Sequence, residues 1–253
     1  MHAVRYGTGK KIVIGIHGWS GDQSTYLPLI KYLPEDTTFI SVDLPGCGKS
    51  APPKGWNLKA VIEELTNWMY QLNEQEVTII GNCSGGLLTL ELTHNLILNS
   101  PKRMVKRLII IDPFAYFPWY FSVFVSPLMG NVGWYAYYTT FANPIGRWLT
   151  NLSLSKHRTE ETDLTNSFSE VNHRVTHNYL KFLTEISEAK KYGVIDIPVD
   201  IVYGENTFGA VRKSLTIWKD VFPVNRTIEL SGAGHLPIQE NTADLARILF
   251  QLN

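Results

Sequence analysis

The sequence has little with which to build a cross-linked, strongly charged or repetitive protein. Only two cysteines, Cys47 and Cys83, occur in 253 residues. A disulfide framework uses more of them in a shorter chain, so reduced thiols and a cytoplasmic setting are expected. Net charge is zero, with 23 basic and 23 acidic side chains. A chain without a basic stripe is poorly suited to nucleic acid, and none is expected as a partner. The first residues carry no apolar run behind a basic start, so no secretory signal is read there. Paired histidines and Cys-x-x-Cys are missing, and neither a metal nor a cofactor is expected. Internal repeats and low-complexity tracts are also absent.

One stretch lacks charge altogether. From Pro113 to Gly146 there is no Asp, Glu, Lys or Arg, and the segment is crowded with Phe, Tyr and Trp. A membrane-spanning helix needs roughly 20 consecutive apolar residues. Pro118, Pro127, Gly130 and Gly133 interrupt this run, which reads instead as several short helices. No basic face accompanies the aromatics, so membrane contact is not expected.

What is present is a large apolar fraction, 44%, in a chain of one-domain length. Short β-branched runs at Lys11–His17, Thr37–Val42, Val77–Ile80, Arg107–Ile111, Val199–Tyr203 and Arg226–Leu230 read as strands. Leu58–Leu72, Gly86–Leu98 and Asp244–Leu252 show apolar residues at helical spacing. Continuous apolar strands separated by helices indicate a mostly parallel sheet covered on both faces. The alternation breaks between Asp112 and about Ile197, where polar helical patterns such as Val175–Glu188 replace it. That stretch reads as an insertion carried on the sheet.

The segment Val77–Leu90 carries the strongest chemical signal. It reads as a strand, then Gly81-Asn82-Cys83-Ser84-Gly85, then a helix. A nucleophile on such a turn has a strained backbone, and small residues two positions to either side relieve the crowding. Gly81 and Gly85 stand at those offsets around Cys83. Around Ser84 they would be displaced by one. Cys83 is therefore the expected nucleophile, Ser84 is the rival, and a buried inert thiol is the bland alternative. The helix N-terminus beneath the turn favours a thiolate or an oxyanion. The Ser84 N–H is a candidate oxyanion donor.

With this elbow, three further motifs make the chain resemble the α/β-hydrolase superfamily over nearly its whole length. His17-Gly18-Trp19 is similar to the family's oxyanion segment, which implies a second donor at the Trp19 N–H. Asp43-Leu-Pro-Gly-Cys-Gly-Lys-Ser50 is similar to a family loop; it departs from a phosphate-binding P-loop, because Asp43 stands where glycine is required. Gly234-His235 matches the position of the family's catalytic base. The resemblance implies an α/β-hydrolase fold, with a core at residues 1–112 and 198–253 and a helical cap at 113–197. Cysteine at the elbow is a minority choice, shared with dienelactone hydrolases and polyhydroxyalkanoate synthases.

The acid departs from the family's pattern. Thr207 stands where an aspartate is usual, in Gly204-Glu205-Asn206-Thr207. Asp112, at the end of the strand after the elbow, is the expected replacement, as in some haloalkane dehalogenases. Glu205 is the runner-up, Asp200 is disfavoured inside a strand, and a histidine without a carboxylate partner stays open. The remaining histidines read as structural (His94) or solvated (His157, His173, His177).

The expected function is a Cys83–His235–Asp112 hydrolase or acyltransferase. Its substrate would be a small-molecule ester or thioester, free or carrier-bound, with a bulky apolar acyl group. Phe114, Phe117, Trp119 and Trp134 are the candidate substrate contacts, and Trp19 and Ser84 the oxyanion donors. A lyase or cyclase on the same site, and a non-catalytic binding protein, are the alternatives. Thr207 is the best support for the last of these. Nothing in the sequence addresses the oligomeric state.

Overall fold

Apolar strands that alternate their side chains between two covered faces must sit in the middle of a layered fold. The computed structural model, which describes residues 1–74, 76–99, 104–155, 163–185, 188–223 and 225–252, has that arrangement. Its strands are β1 (Ala3–Tyr6), β2 (Lys11–Ile16), β3 (Thr37–Val42), β4 (Val77–Asn82), β5 (Val105–Ile111), β6 (Val199–Gly204) and β7 (Arg226–Leu230). They form one seven-stranded sheet in the order β1-β3-β2-β4-β5-β6-β7. Every pairing is parallel except that of β1 with β3.

Neighbouring residues on a strand serve different cores. Ile12, Ile14, Ile79, Leu108 and Ile110 pack in one cluster with α2 (Leu58–Leu72), α3 (Ser84–Asn99) and α8 (Gly209–Val221). Val13, Phe39, Ile80, Ile109 and Ile111 pack on the other face with α1 (Leu27–Ile30) and α10 (Thr242–Phe250). Caps set the helix ends: Asn57 accepts from the Ala60 N–H to start α2 (2.9 Å), and left-handed Asn73 ends it. At the far end of the sheet, buried Asp200 joins Arg107 and Arg226. Burial opposes its charge, but Arg226 and Arg107 hold its carboxyl below the usual range. Asp200 is thereby a bolt between β5 and β7, far from the chemistry.

Between β5 and β6 the described residues form short helices: α4 (Ser122–Val125), α5 (Asn131–Tyr137), α6 (Pro144–Ser155) and α7 (His173–Glu185), with 3-10 and π turns between them. Tyr137, Phe141, Phe168 and Leu180 make a small core of their own. Residues 156–162, His157 among them, and residues 186 and 187, within the expected Val175–Glu188 helical pattern, lie outside the described residues. Two of the expected surface histidines are not on the surface. His177 is buried and hydrogen-bonds the Phe124 carbonyl (2.8 Å), and half-buried His173 meets the Tyr137 hydroxyl (3.2 Å). Both meet the Tyr137 ring of α5, His173 edge-on and His177 at a tilt. After β7 the chain passes through α9 (Pro237–Glu240) to α10.

Candidate active site

The parallel sheet delivers two chain reversals side by side. Asn82 and Ile111 are register partners at the ends of β4 and β5. The next residue of each strand, Cys83 and Asp112, turns with positive φ, +52° and +48°. Left-handed backbone is strained for a non-glycine residue, and Cys83 holds it through its N–H donating to Ile111 O (2.8 Å). The flanking glycines are required by space. A Cβ on Gly81 would lie 2.5 Å from Gly85 O, and one on Gly85 would lie 2.3 Å from His17 O. Ser84 is instead the first residue of α3 and is buried.

Asp112 is fully buried. Its Oδ1 accepts from the Gly204 N–H (3.0 Å); its Oδ2 accepts from the Thr207 hydroxyl (2.5 Å) and from His235 Nδ1 (2.9 Å). Thr207 is therefore not an emptied aspartate slot. Its hydroxyl supplies a donor to the carboxylate that arrives from the neighbouring strand. Glu205 points elsewhere, accepting from Ser231 Oγ (3.0 Å) and the Gly232 N–H (2.8 Å).

His235 is hydrogen-bonded to Asp112 and shares the floor of one cavity with Cys83. Burial alone would discharge the ring. The charge of Cys83, the Asp112 and Cys83 hydrogen bonds and the Asp112 charge outweigh it and raise the imidazole to about 10. The arrangement favours the protonated ring. Phe208 covers the ring at 4.4 Å and Phe114 at 5.9 Å between centroids. Cys47 is a different thiol, pushed up to about 12 by burial and then by Asp43 and Asp22.

The His17-Gly18-Trp19 loop passes directly over the elbow. A Cβ on Gly18 would stand 3.2 Å from Cys83 Cβ. His17 is buried and held neutral by burial; Leu44 N–H donates to its Nε2 (3.1 Å), so its Nδ1 donates to Gly18 O (2.9 Å). The Trp19 indole donates to Thr176 O in α7 (2.8 Å) and packs against Phe141 and Phe168 of the cap. Trp19 and Ser84 both border a cavity of about 430 Å³ that ends at Cys83 and His235. Phe114, Phe117, Tyr120, Phe121 and Phe141 wall it, and among the described residues no Asp, Glu, Lys or Arg lines it.

A family model described as "Alpha/beta hydrolase family" matches residues 13–248. The chain belongs to the alpha/beta hydrolase family. Solved structures with this fold include a bromoperoxidase from Bacillus anthracis (TM-score 0.76, 16% identity, 98% of this chain and 93% of that one). A lipase-esterase related protein from Clostridium acetobutylicum superposes similarly (TM-score 0.73, 18% identity, 100% and 99%). In sequence, the chain is similar to a probable serine hydrolase of Drosophila melanogaster, 33% identical over 84 residues, which are 30% of this chain and 24% of that protein. The matched stretches span about a quarter of the curated relatives' own length.

Within this alpha/beta hydrolase, two expected substrate contacts fall outside the cavity. Trp119 is 84% exposed, and Trp134 stacks on Tyr137 (5.6 Å) and under Arg174 (5.9 Å). The 3-10 turn bearing Trp119 and the helix bearing Trp134 present other residues inward, Phe121 and Tyr137 among them. Phe114 and Phe117 do line the cavity. Sequence reasoning missed Glu240, whose carboxylate accepts from the N–H groups of Gly234 (2.8 Å) and Leu236 (3.1 Å), one on each side of His235. It also missed the role of Thr207. The one signal available there was a hydroxyl in the slot where a carboxylate is usual.

Proposed function

We propose that this protein cleaves an ester or thioester with a bulky apolar acyl group and passes that group to water or another acceptor through an acyl-cysteine. Cys83 Sγ attacks the acyl carbon, and the Trp19 and Ser84 N–H groups hold the resulting oxyanion. His235 gives its proton to the departing alcohol or thiol. It then takes a proton from the incoming acceptor as the thioester is cleaved, and free Cys83 is regenerated. Asp112 keeps the ring in the tautomer that faces Cys83 and compensates its charge.

The observation that carries this reading is the Asp112–His235 hydrogen bond beside an elbow cysteine, at the floor of a cavity lined by no Asp, Glu, Lys or Arg among the described residues. A neutral aromatic wall suits an acyl chain and gives a charged one no partner. The Drosophila relative is a probable serine hydrolase and the Clostridium structure a lipase-esterase related protein, which agrees with hydrolysis.

Intact-mass spectrometry after mixing with acyl thioesters of increasing chain length tests it. An acyl adduct is expected on the wild type and on Ser84→Ala but not on Cys83→Ala, with the rate rising over short chains. An adduct on Ser84, or a strict preference for acetyl or charged acyl groups, would overturn it.

A further inference from the structure

Helix α6 is amphipathic, yet its apolar stripe faces away from the protein. Ile145, Trp148, Leu149 and Leu152 recur at i, i+3, i+4 and i+7, one face of a helix, and all four are exposed, Ile145 by 68% and Trp148 by 63%. The opposite face is polar and turned inward. Arg147 donates to Ala142 O (3.0 Å), Asn151 accepts from the Leu164 N–H (3.1 Å), and Thr150 borders the cavity. A surface helix in water has the reverse arrangement. The elements beside it repeat the inversion. Val132, Tyr135 and Tyr138 follow one another at three-residue spacing and are exposed; Trp119 is exposed by 84% and Leu128 by 97%. Scattered exposed apolar residues are ordinary, but a whole layer of them marks a docking surface.

We propose that this outer face of the cap rests on a bilayer of neutral, zwitterionic lipid. Charge decides the kind of lipid. From Pro113 to Gly146 the sequence offers no Lys or Arg to meet anionic headgroups and no Asp or Glu to repel them, and Arg147, the one charged residue of α6, donates to Ala142 O. Residue chemistry decides for lipid over protein. Exposed Trp119, Trp148, Tyr120, Tyr135 and Tyr138 are the residue types that settle at a membrane–water boundary, whereas a protein interface enriches arginine beside its aromatics and none stands among the exposed residues of this face. Among the described residues no helix is long and apolar enough to cross a membrane, so the layer lies on the surface rather than through it. Tyr120 belongs both to this face and to the cavity wall, which makes the docked surface continuous with the active-site cavity. An apolar substrate then reaches Cys83 from the lipid side without crossing water. Docking itself does not depend on the acyl chemistry.

Flotation of the full chain with phosphatidylcholine vesicles tests this without an activity readout. The wild type should float with the vesicles in low and in high salt, and adding phosphatidylserine should change little. Trp148→Glu/Leu149→Glu, and separately Leu128→Glu, should weaken partitioning by at least about tenfold. Both variants alter exposed side chains away from the cavity, so their thermal midpoints should match the wild type. The proposal fails if the wild type stays with the unbound fraction, floats only with anionic lipid, or floats equally well as either variant. It also fails if sedimentation equilibrium without vesicles shows a wild-type dimer that the double variant abolishes, because a second copy would then cover this face.

Discussion

The sheet and the cap are both rich in large apolar side chains, and they place them in opposite ways. On β2, β4 and β5, Ile14, Ile79 and Ile110 are wholly buried between helical layers. On α6 the apolar stripe is outermost, and the polar stripe holds the cap together. The same residue classes therefore report stability in one region and environment in the other. The proposed catalytic groups follow the same division: Cys83, Asp112 and His235 stand on strand ends or the loop after β7, whereas the cap contributes aromatic walls of the cavity.

Substitutions that act on one region alone sharpen this contrast. The largest effect belongs to the sheet. Asp112→Asn keeps the shape but removes the charge that balances imidazolium, and acylation of Cys83 should slow by about 10² to 10³ in stopped-flow measurements. Glu205→Gln in the same assay should stay within about a factor of three, because its carboxylate accepts from Ser231 and Gly232 rather than from His235. Next, Ile110→Ala should lower the unfolding free energy in urea by about 2–5 kcal/mol through the cavity it leaves. Thr207→Val removes one donor to buried Asp112 and should cost about 1–3 kcal/mol in the same titration.

A pH measurement comes next. The folded His235 ring, raised to about 10 against burial by Cys83 and Asp112, lies above its ordinary 6.5. Its stabilisation is therefore complete below about pH 6.5 and is lost as pH climbs towards 10. In Cys83→Ala the largest raising cause is gone, and NMR titration should place the ring lower. Smallest of all, Leu128→Ser on the cap should alter stability in water by no more than about 0.5 kcal/mol. A large loss there would mean that the exposed layer contributes to the fold itself, and the contrast between the regions would collapse.

The layered fold was legible in the sequence because five of its strands are largely buried runs rich in β-branched residues, and a sixth, the more exposed β7, still carries Thr227 and Ile228 ahead of a glycine-rich turn. The seventh, Ala3–Tyr6, is a short edge strand with a half-exposed pattern, and neither periodicity nor turn chemistry marks it. Helix α8 was passed over too, since its apolar face, Val211, Ser214 and Trp218, includes a serine. Cys83, Asp112 and His235, the three residues read as a set, are brought together by the structure. Each follows a strand end or sits in the loop after one, where position in sequence translates directly into position in space. The cap residues did not translate in that way. Trp119 and Trp134 belong to elements of three and seven residues, too short for helical phase to say which way a ring points. Glu240 was silent because its partners are backbone groups, which no sequence pattern displays.

Two members of the site are joined through the hydrogen-bonded register of β4 and β5. Cys83 and Asp112 cannot drift apart without breaking the centre of the sheet. His235 alone arrives on a separate loop, and the two N–H groups around it are gathered by one carboxylate, Glu240. Alignment of the three groups thus has a single adjustable coordinate, the swing of the His235 loop. Whatever loosens that loop detunes the site while leaving the rest of the molecule untouched.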